Sequence, residues 1–400
     1  MTRLLLAAGM IVASAVTRAP AVTRVDPPAA PGSLAPNLAA AGKTVLLSWL
    51  EPTAPGGKPG ETPVALRFAA FDGRRWSAPR TVVSSPKILA NWADFPALAQ
   101  SKRGWLVAGW PERSGSGAYD YLLELARAES TESSWNRIGT AHEDRSASEH
   151  GFVSFVPESD AVRAFWLDGR QMQGDRGSMS LRTARIGDAP DSSELLDARV
   201  CDCCQISAAV VEDGPLVVYR DRSDKELRDI AIVRRVGGKW TSPQSIASDG
   251  WKIDGCPVNG PAVAASGRRV AVAWFTGARD RARVSLANSS DGGETFSGPI
   301  SVDESSPAGR VAVALAGNGD AIVAWVATEG KGGSIRIRRV DARGRVGAPV
   351  SVASTSLARS SGFPRIARLG PAILIAWIEA SDPFRLRAAT IAETRLPATR

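Results

Sequence analysis

The sequence repeats one short phrase seven times, and this repetition limits the folds that the chain can adopt. In each copy a run of small apolar residues leads into an aromatic residue and then into a polar turn. Consecutive aromatic residues are separated by 61, 56, 53, 55, 51 and 52 positions, so one structural unit recurs along the chain. The seven aromatic residues are Trp49, Trp110, Trp166, Tyr219, Trp274, Trp325 and Trp377.

Each unit has the pattern of four short β-strands. An apolar strand and a glycine-containing turn precede the aromatic residue, as in PAVAASGRRVAVAW, and an alternating strand such as SIRIRRVDA follows it. A turn and a last strand complete the unit, as in ETFSGPISV. A period of two residues and glycine-rich turns favour strands over helices. Four-stranded units repeated around an axis predict an all-β protein, a β-propeller of four-stranded blades.

Seven copies predict seven blades, with six blades and one irregular unit as the alternative. A solenoid of stacked sheets is a further alternative, because solenoids also repeat. The last copy holds about three strands, and the segment AVTRVD near the N-terminus can supply the missing outer strand. Residues 16–34 are therefore read as a lead-in. No linker divides the rest, so residues 35–400 are predicted to form a single domain.

The first fifteen residues have the pattern of a secretory signal peptide. Arg3 precedes an apolar stretch, Leu4 to Val12, and Ala13-Ser14-Ala15 resembles a cleavage site. This predicts a cleaved signal peptide over residues 1–15 and a periplasmic or secreted protein. No later segment has the roughly 18 apolar residues that a membrane-spanning helix needs, so we expect no membrane span.

The balance of charge bears on the partner. The formal net charge is +8 and the isoelectric point is about 9.7. The basic residues are scattered and interleaved with acidic residues, and no basic run occurs, which argues against nucleic acid as a partner. The positive charge is more consistent with attraction to an acidic glycan or to an anionic cell surface.

One turn sequence resembles a known repeat. SSDGGETF, from Ser289 to Phe296, fits the pattern S-x-D-x-G-x-T-[WF], and FDGRRWSAP and GGKWTSPQ are weaker versions at the same place in their units. The pattern resembles the Asp-box, or bacterial neuraminidase repeat, of sialidase-like propellers. In such a turn Asp291 accepts backbone N–H bonds, Gly293 takes a positive φ and Phe296 packs into the blade. The turn is a folding device and carries no catalysis.

The resemblance implies exo-sialidase chemistry as one hypothesis for the activity. Sialidases bind the substrate carboxylate with three arginines, use a tyrosine nucleophile paired with a glutamate, and use an aspartate as acid/base. The Arg-Ile-Pro type motif that usually carries the first arginine does not occur here, and Tyr119, Tyr121 and Tyr219 are the three tyrosines. A shared fold does not transfer the activity by itself.

Candidate site residues follow from the phase of the repeat. The loop ahead of each inner strand and the loop after each second strand lie on one face of a propeller, the usual ligand face. Carboxylates there can act as acid and base in glycoside hydrolysis, arginines can bind an anionic group, and tryptophans can stack on sugars. Packing and surface ion pairing are the alternatives for each. The catalytic candidates are Asp168, Asp221 and Tyr219, and the ligand-binding candidates are Arg170, Arg220, Arg222, Arg310, Trp92 and Trp251.

All four cysteines lie in loops that precede inner strands of the predicted propeller. Cys201, Cys203 and Cys204 precede the inner strand of the fourth unit, and Cys256 precedes that of the fifth. These loops are neighbours, so the four thiols are predicted to converge. In an exported protein disulfides are the first interpretation. A soft metal, Cu⁺ or Zn²⁺, bound by the four sulfurs is the second, and no other cofactor is predicted.

The sequence therefore predicts an exported propeller that binds an anionic ligand, a carbohydrate, at the mouth of its channel. A glycoside hydrolase of exo-sialidase type and a metal-binding propeller remain the alternatives, so the sequence does not decide whether the protein is an enzyme.

Overall fold

The computed structural model describes residues 22–54, 62–172 and 176–399. The predicted signal peptide, residues 1–15, lies outside the described residues. The described chain folds into seven antiparallel sheets arranged in a ring, with only three short 3-10 helices besides the strands. This confirms the predicted seven-bladed β-propeller. No helix of the described part is long and apolar enough to cross a membrane.

Blades 1 to 3 are each built from four consecutive strands. The first half of the chain contains β1 (Thr23–Arg24), β2 (Leu34–Ala41), β3 (Thr44–Pro52), β4 (Val64–Phe71), β5 (Arg80–Ser85), β6 (Ala97–Gln100), β7 (Leu106–Arg113), β8 (Tyr121–Ala128), β9 (Asn136–Thr140), β10 (His150–Pro157), β11 (Val162–Asp168), β12 (Met179–Ile186) and β13 (Glu194–Val200). Strands β2 to β5, β6 to β9 and β10 to β13 form the three sheets in that order.

Blades 4 to 7 follow the same plan, with two variations. The second half contains β14 (Ser207–Val211), β15 (Gly214–Arg220), β16 (Ile230–Val236), β17 (Lys239–Trp240), β18 (Gln244–Ala247), β19 (Ala262–Ser266), β20 (Arg269–Thr276), β21 (Arg283–Ser289), β22 (Ile300–Asp303), β23 (Pro307–Leu315), β24 (Ala321–Glu329), β25 (Gly332–Val340), β26 (Val350–Thr355), β27 (Arg365–Leu369), β28 (Ala372–Glu379) and β29 (Arg385–Ala392). The helices are Ala278–Asp280, Arg359–Ser361 and Glu393–Arg395. In blade 4 the outer strand is split, because β17 and β18 both pair with β16.

The ring is closed by strands from distant parts of the chain. Blade 7 consists of β27, β28, β29 and, as its outer strand, β1. Thr23 pairs with Thr390, and the N–H of Val25 donates to the carbonyl of Ala388 at 2.9 Å. The segment ahead of blade 1 thus completes the last blade.

The repeated aromatic residues lie on the second strand of every blade, with relative exposures of 3% or less. In blades 1 to 3 the indole N–H donates at 2.9 Å to the carboxylate two residues later, which is Glu51, Glu112 or Asp168. In blades 4 to 6 the aromatic residue donates at 2.6 Å to Asp197, Asp249 or Asp303, from the outer-strand region of the preceding blade. The repeat therefore fills the blades and also ties neighbouring blades together.

The apolar core lies between neighbouring sheets. One cluster joins Val107 and Leu125 of blade 2 to Val153 and Trp166 of blade 3, and similar clusters join the other blades. This is expected for a propeller, in which each sheet buries both of its faces against its neighbours.

The turn from Ser289 to Phe296 connects β21 to β22. Oδ1 of Asp291 accepts the N–H groups of Glu294 and Thr295 at 3.0 Å, and Gly293 has a φ of 84°. Phe296 packs against the core of blades 4 and 5. Burial of Asp291 is outweighed by the bonds from Thr295 and Ser289, which hold the pKa of Asp291 well below its usual range.

Candidate functional site

The seven inner strands surround the central channel, and the loops ahead of these strands form one face, which we call the mouth. The inner strands are β2, β6, β10, β14, β19, β23 and β27, and each contacts the next around the ring. They line a cavity of about 630 Å³. Because strands alternate in direction, the loops that follow the second strands lie on the same face.

Side chains of the mouth loops join neighbouring blades through backbone hydrogen bonds. Oδ1 of Asp94 in blade 2 accepts the N–H of Phe152 in blade 3 at 2.8 Å. Asn259 of blade 5 accepts the N–H of Arg310 in blade 6 at 2.6 Å. Gln205 donates across the mouth to the carbonyl of Ala93 at 2.9 Å. The mouth is therefore a continuous, mutually braced surface.

The four thiols come together at the mouth between blades 4 and 5. Sγ of Cys201 lies 3.2 Å from Sγ of Cys204 and 3.8 Å from Sγ of Cys203. All three sulfurs lie within 4.8 Å of one another, and a second set within the same limit contains Asp202, Cys203 and Cys256. Cys203 belongs to both sets. All four cysteines are free thiols, so the disulfides predicted from the sequence are not seen.

Arginines surround the buried end of this cluster. Nη1 of Arg228 donates to Sγ of Cys201 at 3.3 Å, and Arg228 is 2% exposed. Hydrogen bonds with the Cys203 and Cys204 thiols, and the charge of Arg220, hold the pKa of Cys201 well below its usual range. Burial together with the bond to Cys201 raises the pKa of Cys204. Cys201 is therefore the more acidic of these two buried thiols.

The arginines predicted to bind a ligand all have partners within the protein. Arg220 is buried and donates to the carbonyls of Asn259, Arg228 and Phe275. The guanidinium of Arg222 bonds to Glu226, and that of Arg170 bonds to Asp168 and Glu143. Arg310 donates to the carbonyls of Leu357, Ala358 and Gly362 and to the hydroxyl of Ser361. These contacts brace loops of the mouth.

The predicted catalytic residues divide between two surroundings, one around Asp168 and one around Asp197, which bonds to Tyr219 and acts electrostatically on Asp221. Asp168 is fully buried, where it accepts bonds from Trp166 and Arg170. Although burial opposes the shift, the bonds from Arg170 lower the pKa of Asp168 to about 2. Tyr219 is fully buried and donates to Asp197 at 2.6 Å, and burial raises its pKa well above the usual range. Burial also raises the pKa of Asp221.

The two histidines of the chain stack on each other beside Asp168. The rings of His142 and His150 have centroids 3.8 Å apart at an interplanar angle of 9°. Nε2 of His150 lies 3.0 Å from Asp144 and 3.7 Å from Asp168. Burial and the neighbouring His150 lower the pKa of His142 to about 3, so His142 is neutral at physiological pH.

The two predicted aromatic platforms differ in access. Trp251 is 9% exposed and packs against Phe275, which makes it a core residue. Trp92 is half-buried at the mouth and stacks on Phe363, with ring centroids 5.9 Å apart. The guanidinium carbons of Arg310 and Arg359 lie 5.4 Å and 5.9 Å from the centroid of the Trp92 ring. Arg359 is exposed and forms no ion pair with any residue that the structure describes.

Sequence reasoning missed an acidic group at the mouth between blades 2 and 3. The hydroxyl of Tyr121 donates to Oε1 of Glu149 at 2.5 Å. Burial raises the pKa of Asp94 to about 7, and burial and the nearby Asp94 raise the pKa of Glu149 to about 8. Burial and the charge of Asp94 also raise the pKa of Tyr121. Asp94 and Glu149 lie in loops that precede inner strands. This position in the repeat is the sequence signal by which the two residues could have been found.

Arg365 lies in the channel, and its Nε has no hydrogen-bond acceptor among the residues that the structure describes. Arg365 begins β27, and its guanidinium lies 3.7 Å from the centroid of the Phe95 ring. Its Nε is buried without a hydrogen-bond partner, and no carboxylate of the described residues pairs with it. Burial lowers the pKa of Arg365 to about 9.

Comparison with known proteins supports the fold only. No protein-family model and no curated protein matches the sequence. The structure is similar to the GH93 α-L-arabinofuranosidase of Fusarium graminearum, with a TM-score of 0.52 and 12% identity, over 94% of this chain and 98% of that chain. It is also similar to the α-L-arabinanase of Penicillium chrysogenum, with a TM-score of 0.51 and 11% identity, over 94% of this chain and 100% of that chain.

A polysaccharide lyase is similar to the same degree, with a TM-score of 0.52 and 9% identity over 89% of both chains. At such identities a likeness identifies a fold and leaves the chemistry open. The comparisons thus confirm the propeller, while the sialidase-like assignment stays a hypothesis.

Proposed function

We propose that this protein binds an acidic carbohydrate at the mouth, with Trp92 and Arg359 as the contact residues. The observation that carries the proposal is the environment of the Trp92 ring. Two guanidinium groups lie next to this half-buried ring, and neither pairs with a carboxylate of the described chain. The positive charge of Arg359 adds to burial in lowering the pKa of Arg310, so the two like charges share one local field.

Such an arrangement suits an acidic sugar for two physical reasons. An indole face offers apolar area that a pyranose or furanose ring can cover. An arginine fork binds a carboxylate or sulfate through two parallel hydrogen bonds, and Arg359 is free to make them. Arg310 is held by backbone carbonyls and contributes a fixed positive potential beneath the ligand. The saccharide-active enzymes among the structural neighbours support a carbohydrate as the ligand.

Titration calorimetry with an oligogalacturonate and with a neutral arabino-oligosaccharide tests the proposal. We expect saturable binding of the acidic oligosaccharide, weakened about tenfold or more by Arg359→Gln, because a charge-assisted bond contributes roughly 1.5–3 kcal/mol. Trp92→Ala should abolish the binding. Arg74→Gln is the matched control, since Arg74 is exposed on the turn between β4 and β5 at the opposite face.

Two results would count against this function. Equal affinity for the neutral and acidic oligosaccharides, unchanged in Arg359→Gln, would remove the anionic requirement. Equal weakening by Arg359→Gln and Arg74→Gln would show a general charge effect and would remove the site.

A second candidate function, glycoside hydrolysis, is favoured by the pair of Tyr121 and Glu149. A tyrosine bonded to a glutamate is the pairing that the sialidase resemblance implies, and Asp94 beside it holds a proton near neutral pH, as a general acid must. Tyr121 is only 2% exposed, however, so a substrate would first have to move the loop that carries Glu149. For this reason binding is the primary proposal.

Fluorogenic sialosides and arabinofuranosides test the second candidate. Turnover that Tyr121→Phe and Glu149→Gln abolish, and that Tyr119→Phe leaves unchanged, would establish hydrolysis at this pair. Tyr119 is 69% exposed and serves as the matched tyrosine control. Turnover insensitive to Tyr121→Phe would exclude this pair as the catalytic centre.

A further inference from the structure

The thiol cluster has an inner and an outer part. Cys201 and Cys204 are each 1% exposed, Cys203 is half-buried and Cys256 is exposed. The inner set consists of Cys201, Cys203 and Cys204, while Cys256 joins Asp202 and Cys203 in the outer set. Sγ of Cys256 lies 3.9 Å from Oδ1 of Asp202. The shared Cys203 therefore links a buried three-sulfur set to solvent.

The spacing of the inner sulfurs suits a single soft metal ion. Sulfurs that share one ion at a bond length of about 2.3 Å lie about 3.8 Å apart in tetrahedral geometry and about 4.0 Å apart in trigonal geometry. Sγ of Cys201 lies 3.8 Å from Sγ of Cys203, which is close to this spacing, and 3.2 Å from Sγ of Cys204, which would move outward by about 0.6–0.8 Å to share the ion. The ligands are sulfur only, and thiolate sulfur selects soft ions such as Cu⁺ over hard ones such as Mg²⁺.

The charge around the inner set fits a cluster of thiolates. Three thiolates with Cu⁺ carry a net charge of −2, which is costly to bury without compensation. Arg228 donates to Cys201 at 3.3 Å, and its guanidinium is also bonded to Glu226 at 2.7 Å, which fixes its orientation. One fixed cation, the guanidinium of Arg228, thus stands beside the sulfurs.

We propose that Cys201, Cys203 and Cys204 bind one Cu⁺ ion through three thiolates, and that Cys256 with Asp202 forms the exposed side through which the ion exchanges. Three sulfurs suit Cu⁺ better than Zn²⁺, because structural zinc takes four ligands in nearly all cases. Binding breaks the S–H bonds of the thiols, forms three S–Cu bonds and releases the protons to solvent. No electron is transferred. This site is separate from the proposed carbohydrate site, so an experiment that rejects one proposal leaves the other untouched.

The experiment uses the full chain, reduced and freed of reductant under anaerobic conditions. Cu⁺ is added in competition with a chromogenic chelator, and a parallel sample receives Zn²⁺. Elemental analysis gives the metal content, and mass spectrometry after alkylation counts the accessible thiols. We expect one Cu⁺ per chain, three thiols protected from alkylation, and Cys256 alkylated.

Variants separate the inner set from the outer. Cys204→Ser should lose stoichiometric Cu⁺, and Cys203→Ser, at a more exposed position, gives the same test if the first variant does not fold. Cys256→Ser should keep one Cu⁺ and release it to the chelator at a different rate. Arg228→Gln should bind Cu⁺ more weakly, by about tenfold, since residues that support ligands contribute on that order.

Three outcomes would overturn the assignment. The first is a reduced protein that retains no Cu⁺ and, when isolated without reductant, is four hydrogens short through two disulfides. The second is stoichiometric Zn²⁺ with all four thiols protected, which would make the site a four-sulfur zinc centre. The third is equal loss of Cu⁺ in Cys256→Ser and Cys204→Ser, which would remove the division into inner and outer sets.

Discussion

Oδ1 of Asp94 accepts the backbone N–H of Phe152 at 2.8 Å, and this bond fixes the mouth loop of blade 2 to the inner strand of blade 3. Three blades further on, Asn259 does the same for the N–H of Arg310 at 2.6 Å. Phe152 and Arg310 both have a positive φ, near 55°, at the bulge that starts their strand. The position requires a hydrogen-bond acceptor, and an amide supplies it as well as a carboxyl group does.

Asp94→Asn should therefore remove a pH dependence of stability while keeping the bond to Phe152. The Asp94 pKa is about 7 in the folded chain, against an ordinary value of 3.8. Between these values the folded state keeps a proton that the unfolded state has lost, so stability falls as the pH rises from about 4 to about 7. We expect the free energy of unfolding of the wild type to fall relative to the variant by on the order of 3 kcal/mol over this interval.

Urea denaturation at a series of pH values measures this difference. Asn259→Asp is the reciprocal control, and it should add a slope of the same sign at the equivalent position. An unchanged slope in Asp94→Asn would mean that Asp94 is ionised in the native protein.

Trp325→Phe should destabilise the protein more than Trp377→Phe. Both residues occupy the repeat position and both are buried. The indole N–H of Trp325 donates to Asp303 at 2.6 Å, whereas that of Trp377 has no partner in the structure. The first substitution leaves a buried carboxylate oxygen unpaired, which adds about 1–3 kcal/mol to the loss of packing. Denaturation midpoints and slopes give the comparison, and equal losses would show that the indole bond does not contribute.

Arg365→Met should stabilise the protein by about 1 kcal/mol at neutral pH. Nε of Arg365 is buried in the channel without an acceptor while the residue as a whole is half-buried, and an unpaired charge that is partly buried is costly. Stacking on Phe95 offsets part of this cost. Arg365→Lys keeps the positive charge and should not stabilise the protein. The two variants together therefore distinguish the effect of the charge from the effect of side-chain shape. A lower melting temperature in Arg365→Met would show that the stacking outweighs the burial.

Val25→Pro should weaken the closure of the ring. The N–H of Val25 donates to Ala388 at 2.9 Å, and proline has no N–H to donate. We expect a loss of about 3 kcal/mol. Val25→Ala removes only part of a side chain that packs beside blade 7, and should cost about 1 kcal/mol. Thermal unfolding of the two variants tests the difference, and similar melting temperatures would contradict a contribution from this bond.

The fold could be predicted because its signal is repeated. Seven aromatic residues at nearly even spacing mark the second strand of every blade, and the glycine turns mark the strand ends. The same phase places Cys201 and Cys256 on neighbouring loops, where the structure brings the two sulfur sets together. A periodic pattern specifies strands and loops well, since it depends only on which face of a sheet is buried.

The roles of individual side chains could not be predicted in this way. Arg220 reads as an anion ligand in the sequence, yet it turns inward and donates to the carbonyl groups of three residues. The pair of Tyr121 and Glu149 depends on two rotamers from different blades. Side-chain direction and burial decide both cases, and neither is encoded in a period of two residues.

The pairing of β1 with β29 has a consequence for how the molecule comes into being. Asp26 and Arg387 meet at 3.0 Å across a sequence separation of 361 residues. Closing a chain of that length costs about 5 kcal/mol of entropy, a cost shared by the contacts between blades 1 and 7 but not by those between blades that are consecutive in the sequence. The first six blades can form in the order of their synthesis, whereas the seventh waits for both ends of the chain. We therefore expect the seam beside β1 to be the last part of the ring to form and the first to open when the molecule is heated.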